Sequence, residues 1–228
     1  MIGQVGQKDG YVYSPAFNTT FPATENPINQ GGVWVRGASE GVNWTDPRTT
    51  GGSPGIAWGT MTAFDGTHYI DSIAHLRGFN ANHSARGVVG GSAVFGLEVE
   101  LLLRFSITSG NARGYEWDLV GSSGNVILVR WNGPGGSAGG GAGVAFDQIQ
   151  TFSGVTFADG DVFLAEASGP NMSIKRNGTL IGSVDVQAWA VANGGSYWST
   201  GQPGMGFWNE TGSSNSGFAW KQFTAANL

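Results

Sequence analysis

The stretch Leu97-Glu98-Val99-Glu100-Leu101-Leu102-Leu103-Arg104-Phe105-Ser106-Ile107 decides the fold. Successive side chains of an extended chain point to opposite faces. On that period Val99, Leu101, Leu103 and Phe105 share one face, and Glu98, Glu100, Leu102 and Arg104 share the other. The period is two, so the stretch reads as a strand. The same short alternation recurs outward from it, at Gly114–Val120, Asn125–Asn132, Asp161–Ala167, Met172–Arg176, Thr179–Val186, Gly204–Asn209 and Gly217–Thr224, with an earlier pair near Gly55–Phe64 and His68–Leu76. Turn dipeptides separate these runs: Asp65-Gly66, Asp159-Gly160 and Asn177-Gly178. The last predicts a two-residue hairpin, because both of its residues accept the positive φ of a type I′ turn. Only Gln187–Ala192 reads as a short helix. Many short strands with glycine-rich turns predict an all-β fold, an antiparallel two-sheet β-sandwich of jelly-roll type over residues 31–228. Residues 1–30 carry Pro15, Pro22 and Pro27 and read as an extended arm. The glycine run Gly133–Gly143 reads as a loop.

Composition narrows the function. The 228 residues include 40 glycines and nine tryptophans, and only 12% are charged. So many aromatics exclude a disordered chain, and so much glycine argues against a helical bundle. The net charge is −5 with no basic block, so there is no electrostatic footprint for nucleic acid or for an anionic membrane. No apolar run is long enough to span a bilayer. The absence of cysteine excludes thiol chemistry and cysteine–zinc sites. The first residues lack the basic start and apolar stretch of a secretory signal.

The order of motifs carries a resemblance. Glu98-Val99-Glu100-Leu101-Leu102-Leu103-Arg104 is followed by Ala112-Arg113-Gly114-Tyr115-Glu116, Val129-Arg130-Trp131-Asn132-Gly133 and Phe157-Ala158-Asp159-Gly160-Asp161-Val162-Phe163. Lys175-Arg176-Asn177-Gly178, Gly201-Gln202-Pro203-Gly204-Met205-Gly206-Phe207-Trp208 and Gly217-Phe218-Ala219-Trp220 close the series. This succession resembles the concanavalin A-like lectin/glucanase superfamily, in particular its laminin-G-like jelly rolls of bacterial and phage type, over roughly residues 33–228. The resemblance implies a flat outer sheet and a curved inner sheet whose concave face is the usual glycan site.

Candidate chemistry follows from residue types. Glu116 and Asp118 stand two apart on a strand, so both carboxyls face one side. They are the candidate catalytic pair of a polysaccharide-degrading enzyme, in which two carboxyls act on one glycosidic bond. The run resembles the Glu-x-Asp-x-x-Glu of the superfamily's glucanases, but Gly121 stands where the third acid belongs. The plain alternative is a strand face paired with Arg113 or Arg130. Glu98 and Glu100 share a face with Arg104, which predicts an ion pair. His68, His75 and His83 each read as a hydrogen-bonded surface histidine. His83, Arg86 and Tyr115 supply the residue types of a lyase, without the lyase motifs. His68, His75 and His83 have no zinc spacing. No cofactor is required. Laminin-G-like folds often hold calcium, and Asp65, Asp71, Asp159 and Asp161 are candidate oxygen donors. Among the tryptophans, Trp117, Trp208 and Trp220 alternate into the core. Trp131, Tyr197 and Trp198 lie beside glycine-rich loops and are expected as surface contacts that stack on sugar faces. With Arg113 and Glu116 they form the expected ligand-binding set.

The leading reading is a non-catalytic, lectin-like sandwich that binds a polysaccharide or cell-surface glycan. It is expected on a virion or other extracellular surface, made in the cytoplasm and assembled in several copies with other virion proteins. The first alternative is a glycoside hydrolase or polysaccharide lyase using Glu116 and Asp118. The second is a structural module whose aromatics contact other subunits.

Overall fold

The computed structural model describes residues 16–40, 42, 44–59, 71–91, 97–108, 111–132, 146–209 and 216–228. The strands run in chain order as β1 (Ala16–Thr19), β2 (Val35–Arg36), β3 (Arg48–Thr50), β4 (Ile56–Trp58), β5 (Ser72–His75), β6 (His83–Gly91), β7 (Leu97–Thr108) and β8 (Asn111–Val120). They continue as β9 (Asn125–Asn132), β10 (Phe146–Ser153), β11 (Val162–Ser168), β12 (Asn171–Arg176) and β13 (Thr179–Asp185). One helix, α1 (Val186–Asn193), precedes β14 (Gln202–Asn209) and β15 (Phe218–Asn227). The strands form two sheets. The first has the order β13-β12-β11-β6-β15-β4-β3, with β1 also paired to β15, and the second has the order β10-β9-β8-β7-β14-β5-β2. Pairing within both sheets is antiparallel, as in β7 with β8 and β15 with β6. The expected all-β, two-sheet sandwich is what forms. No helix among the described residues is long and apolar enough to cross a membrane.

Alternation builds the core. Val99, Leu101 and Leu103 of β7, Tyr115, Trp117 and Leu119 of β8, and Met205 and Phe207 of β14 meet Phe163, Ala165, Phe218, Trp220 and Phe223 of the first sheet. A smaller apolar cluster covers part of the opposite face of the second sheet. There Leu102, Phe105, Ile73, Val129 and Trp131 pack with Val42 and Trp44, which come from the connection between β2 and β3.

The period of two breaks once in β7. The register slips between Leu103 and Ser106, so Arg104 and Phe105 together oppose a single residue, Gly114. This is a β-bulge. Arg104 takes φ +49, and Gly114 takes φ +144. A Cβ on Gly114 would come within 2.6 Å of the Phe105 Cα, so glycine is required there. The bulge corrects the expected faces. Phe105 joins Leu102 in the outer cluster instead of Leu103 in the core. Arg104 leaves the face of Glu98 and Glu100, and its guanidinium donates to the Ala81 and Gly169 carbonyls, the Tyr197 hydroxyl and Asn82. The expected ion pair with Glu98 and Glu100 does not form.

The expected Asn-Gly hairpin and the expected short helix both form. Asn177 and Gly178 have φ +49 and +82 and join β12 to β13. The Asn177 side chain also accepts from the Val162 amide and donates to Asp161. Helix α1 is capped by Asp185, which accepts from the Ala188 amide at 2.8 Å, and ends at Gly194 with φ +66.

The arm expected over residues 1–30 is corrected in part. Residues 16–30 belong to the packed body: β1 pairs with β15, and Phe17, Phe21 and Ile28 are buried in the core. Prolines interrupt regular pairing there without removing the apolar anchors. Residues 1–15, the Asp65-Gly66 turn, His68 and the loop Gly133–Gly143 lie outside the described residues.

Candidate functional site

Strand register gathers acids on the outward face of the second sheet. Glu100 of β7 stands opposite Asp118 of β8, and Leu102 opposite Glu116. On the other side of β7, Glu98 opposes Trp208 and Glu100 opposes Gly206 of β14. Glu98, Glu100, Glu116 and Asp118, with Asp71 just before β5, line a cleft of about 280 Å³. Trp131, Phe146 and Trp208 add aromatic surface to its walls. Gly206 makes the arrangement feasible, because a Cβ there would collide with the Glu100 carboxyl.

The acids are out of water. Glu100 is 1% exposed, Glu116 4% and Asp118 9%. Burial pushes Glu100 well above the usual carboxylate range, and the charges of Glu116, Asp71, Asp118 and Glu98 push it further. Asp118 and Asp71 are raised well above their ordinary value, by burial first and by Glu116 next. Burial also raises Glu116, but hydrogen bonds with Asp118, Trp131 and Glu100 oppose the shift. The Trp131 indole N–H donates to Glu116 Oε2 at 3.0 Å. Glu116, whose hydrogen bonds oppose the upward shift, is therefore the member best placed to carry negative charge. Two buried oxygens, Glu100 Oε2 and Asp118 Oδ1, have no hydrogen-bond partner. Buried polar atoms without partners are uncommon and costly, so these two leave the cluster with unmet acceptor capacity.

The structure divides the expected site residues. Glu116, Asp118 and Trp131 come together in the cleft, while Tyr197, Trp198 and Arg113 do not line it. Trp131 is 3% exposed and is not a rim residue: Trp44 packs edge-on at 4.8 Å and Phe146 at 5.2 Å. The Trp198 indole donates to the Trp131 carbonyl, and its backbone amide donates to the Tyr115 hydroxyl. Tyr197 accepts from Arg104 and donates to the Gly169 carbonyl. Arg113 lies over the Trp198 ring at 5.1 Å. Arg130 pairs with Asp147, so neither arginine neutralises Glu116 or Asp118. Trp208, expected in the core, is half-buried at the cleft. Sequence reasoning also underweighted Glu100 and Asp71, although Glu100 alternates onto the same face as Glu98.

The histidines serve the bulge, and both are buried where a surface position was expected. His83 Nε2 accepts from the Arg104 amide at 3.0 Å, and His75 Nε2 accepts from the Ile107 amide at 3.2 Å. Their Nδ1 atoms face the Asn80 and Leu76 carbonyls, which fixes the neutral tautomer with Nδ1 protonated. Burial lowers both to about 4. Tyr115 is in the core, and burial pushes its hydroxyl up to about 12. The residue types suggested for a lyase are thus not assembled in the cleft.

The candidate calcium donors do not converge. Asp161 binds Arg176 and Asn177, Asp159 pairs with Lys221, and Asp71 is in the cleft; Asp65 lies outside the described residues. No group of three or more His, Asp or Glu side chains among the described residues is arranged to hold a metal ion.

No family model and no curated protein matches the chain. Solved structures do. A β-agarase A in complex with oligoagarose superposes with a TM-score of 0.59 at 7% identity, covering 94% of this chain and 93% of that one. The GH43 protein BlXynB from Bacillus licheniformis gives 0.54 at 11% identity, covering 99% of this chain and 41% of that one. The carbohydrate-binding module CBM66 from Bacillus subtilis gives 0.48 at 15% identity, over 87% and 94%. At these identities the likeness to the agarase and to the GH43 protein shows the fold alone: a two-sheet, antiparallel β-sandwich of jelly-roll type.

Proposed function

We propose that this chain is a glycan-binding protein whose sugar site is the acidic cleft on the outward face of the second sheet. One observation carries the reading: Glu100 and Asp118, each with a buried carboxyl oxygen that no donor satisfies, line a cleft whose walls include Trp131, Phe146 and Trp208. Sugars present hydroxyl donors at their edges and C–H faces above and below the ring. Those are the two surfaces such a cleft can satisfy. Uronate polymers are poor candidates, because among the described residues the lining holds five carboxyls and no arginine, lysine or histidine. Display in several copies, on a virion or other surface, belongs to the same reading, since multiplicity compensates for weak single sites. The test is calorimetric titration with a panel of neutral, amino and acidic oligosaccharides. The reading predicts binding that Trp208→Ala weakens about tenfold or more, with the fold retained by circular dichroism. No binding to any member of the panel would contradict it.

Glycosidic hydrolysis is the second reading, favoured by the clustered carboxyls of unequal ionisation. Against it, Glu116 is hydrogen-bonded to Asp118 and Glu100. Paired glycosidase carboxyls instead stand about 5–9.5 Å apart, across the bond they cleave. Release of reducing ends that disappears in Glu116→Gln would establish hydrolysis.

A further inference from the structure

We infer that the cleft selects glycans bearing a free amine, so that an ammonium group of an amino sugar sits against Glu100, Asp118 and Glu116. The inference rests on the glycan-binding reading and deepens it. Five of the chain's 16 acidic residues line this one cleft. Ten of its 11 basic residues are among the described residues, and none of them lines it. The arginines of β7, β8 and β9 are engaged elsewhere: Arg104 with main-chain carbonyls and Tyr197, Arg113 over the Trp198 ring, and Arg130 with Asp147 and the Ser196 carbonyl. Among the described residues, then, the cleft is lined by acids and by no basic side chain.

A neutral sugar would satisfy the two open oxygens with hydroxyl donors but leave the mutual repulsion of the acids in place. An ammonium carries three donors and a positive charge on one small group. It answers both deficits at once. The aromatic walls add attraction for a cation lying against a ring face. Burial and mutual repulsion favour the protonated form of these carboxyls, so an ammonium beside them favours ionisation and releases protons to solvent.

The test is calorimetric titration of the wild-type chain with a glucosamine hexamer, an N-acetylglucosamine hexamer and cellohexaose, in two buffers of different ionisation enthalpy. The expected result is that the glucosamine hexamer binds at least about tenfold more tightly than either neutral oligomer and with proton release. The preference should fall about tenfold in Glu100→Gln and in Asp118→Asn, each checked for folding. It should persist in Glu166→Gln, which removes the same charge from β11 in the first sheet. Equal affinity for a neutral hexamer overturns the amine inference and leaves the glycan site standing. A preference untouched by both cleft variants also overturns it, since general attraction to a chain of charge −5 would then suffice. Blockade of the site by calcium chloride alone overturns it in favour of a simple cation site. No binding to any oligomer overturns both this inference and the proposed function.

Discussion

Glu100 is held where a carboxylate is least comfortable, in a dry face among four other acids. The folded cluster retains protons that an unfolded chain gives up near its ordinary value of 4.5. Its contribution to stability is therefore most favourable at low pH and declines as pH rises through the elevated folded range. Glu100→Gln removes one member of that set. Its melting temperature relative to wild type should rise between pH 5 and pH 8, and an equal difference at both values would contradict the burial of the cluster. The histidines have the opposite sign. Their folded values of about 4 lie below the ordinary 6.5, so their contribution is complete above pH 6.5 and is lost as pH falls toward 4. His83→Ala leaves the Arg104 amide without its acceptor and should cost about 1–3 kcal/mol in denaturant unfolding at pH 7.

At the scale of elements, the period-two pattern was sufficient to locate β7, β8, β9 and β11 to β15, and the Asn-Gly pair was sufficient to locate a hairpin. Asn177→Ala should cost about 1–2 kcal/mol, because it loses both the left-handed preference and two side-chain hydrogen bonds. Unchanged stability would contradict that role. The bulge at Arg104 and Phe105 was not legible. A bulge reverses the faces beyond it, and its only sequence sign here is Gly114, one glycine among 40. Gly114→Ala should destabilise by more than about 1 kcal/mol, through strain at φ +144 and contact with Phe105. Trp131 shows the same limit. Its place at the end of β9 beside a glycine run suggested an exposed ring. What buries it are Phe146, its cross-strand partner on β10, and Trp44, from the connection between β2 and β3, and no local pattern encodes either.

For the molecule as a whole, two sheets bury one large core between them and leave the outward face of the second sheet to be divided between an apolar patch and an acidic cleft. Glu116 and Asp118 were legible as a pair sharing one face. Glu100 and Asp71 were not tied to them, since cross-strand register, not spacing along the chain, brings them together. Trp198 is bonded to the Trp131 carbonyl and packs against the core, so Trp198→Ala should lower stability while leaving glycan affinity nearly unchanged. The most direct test of the sugar site is a nitrogen-15 spectrum of the tryptophan indoles during titration with a bound oligosaccharide. The account predicts that the Trp131 and Trp208 indole signals move with the titration while that of Trp220, sealed in the core, stays in place. Movement of other indoles with Trp131 and Trp208 unchanged would place the ligand elsewhere and contradict the account.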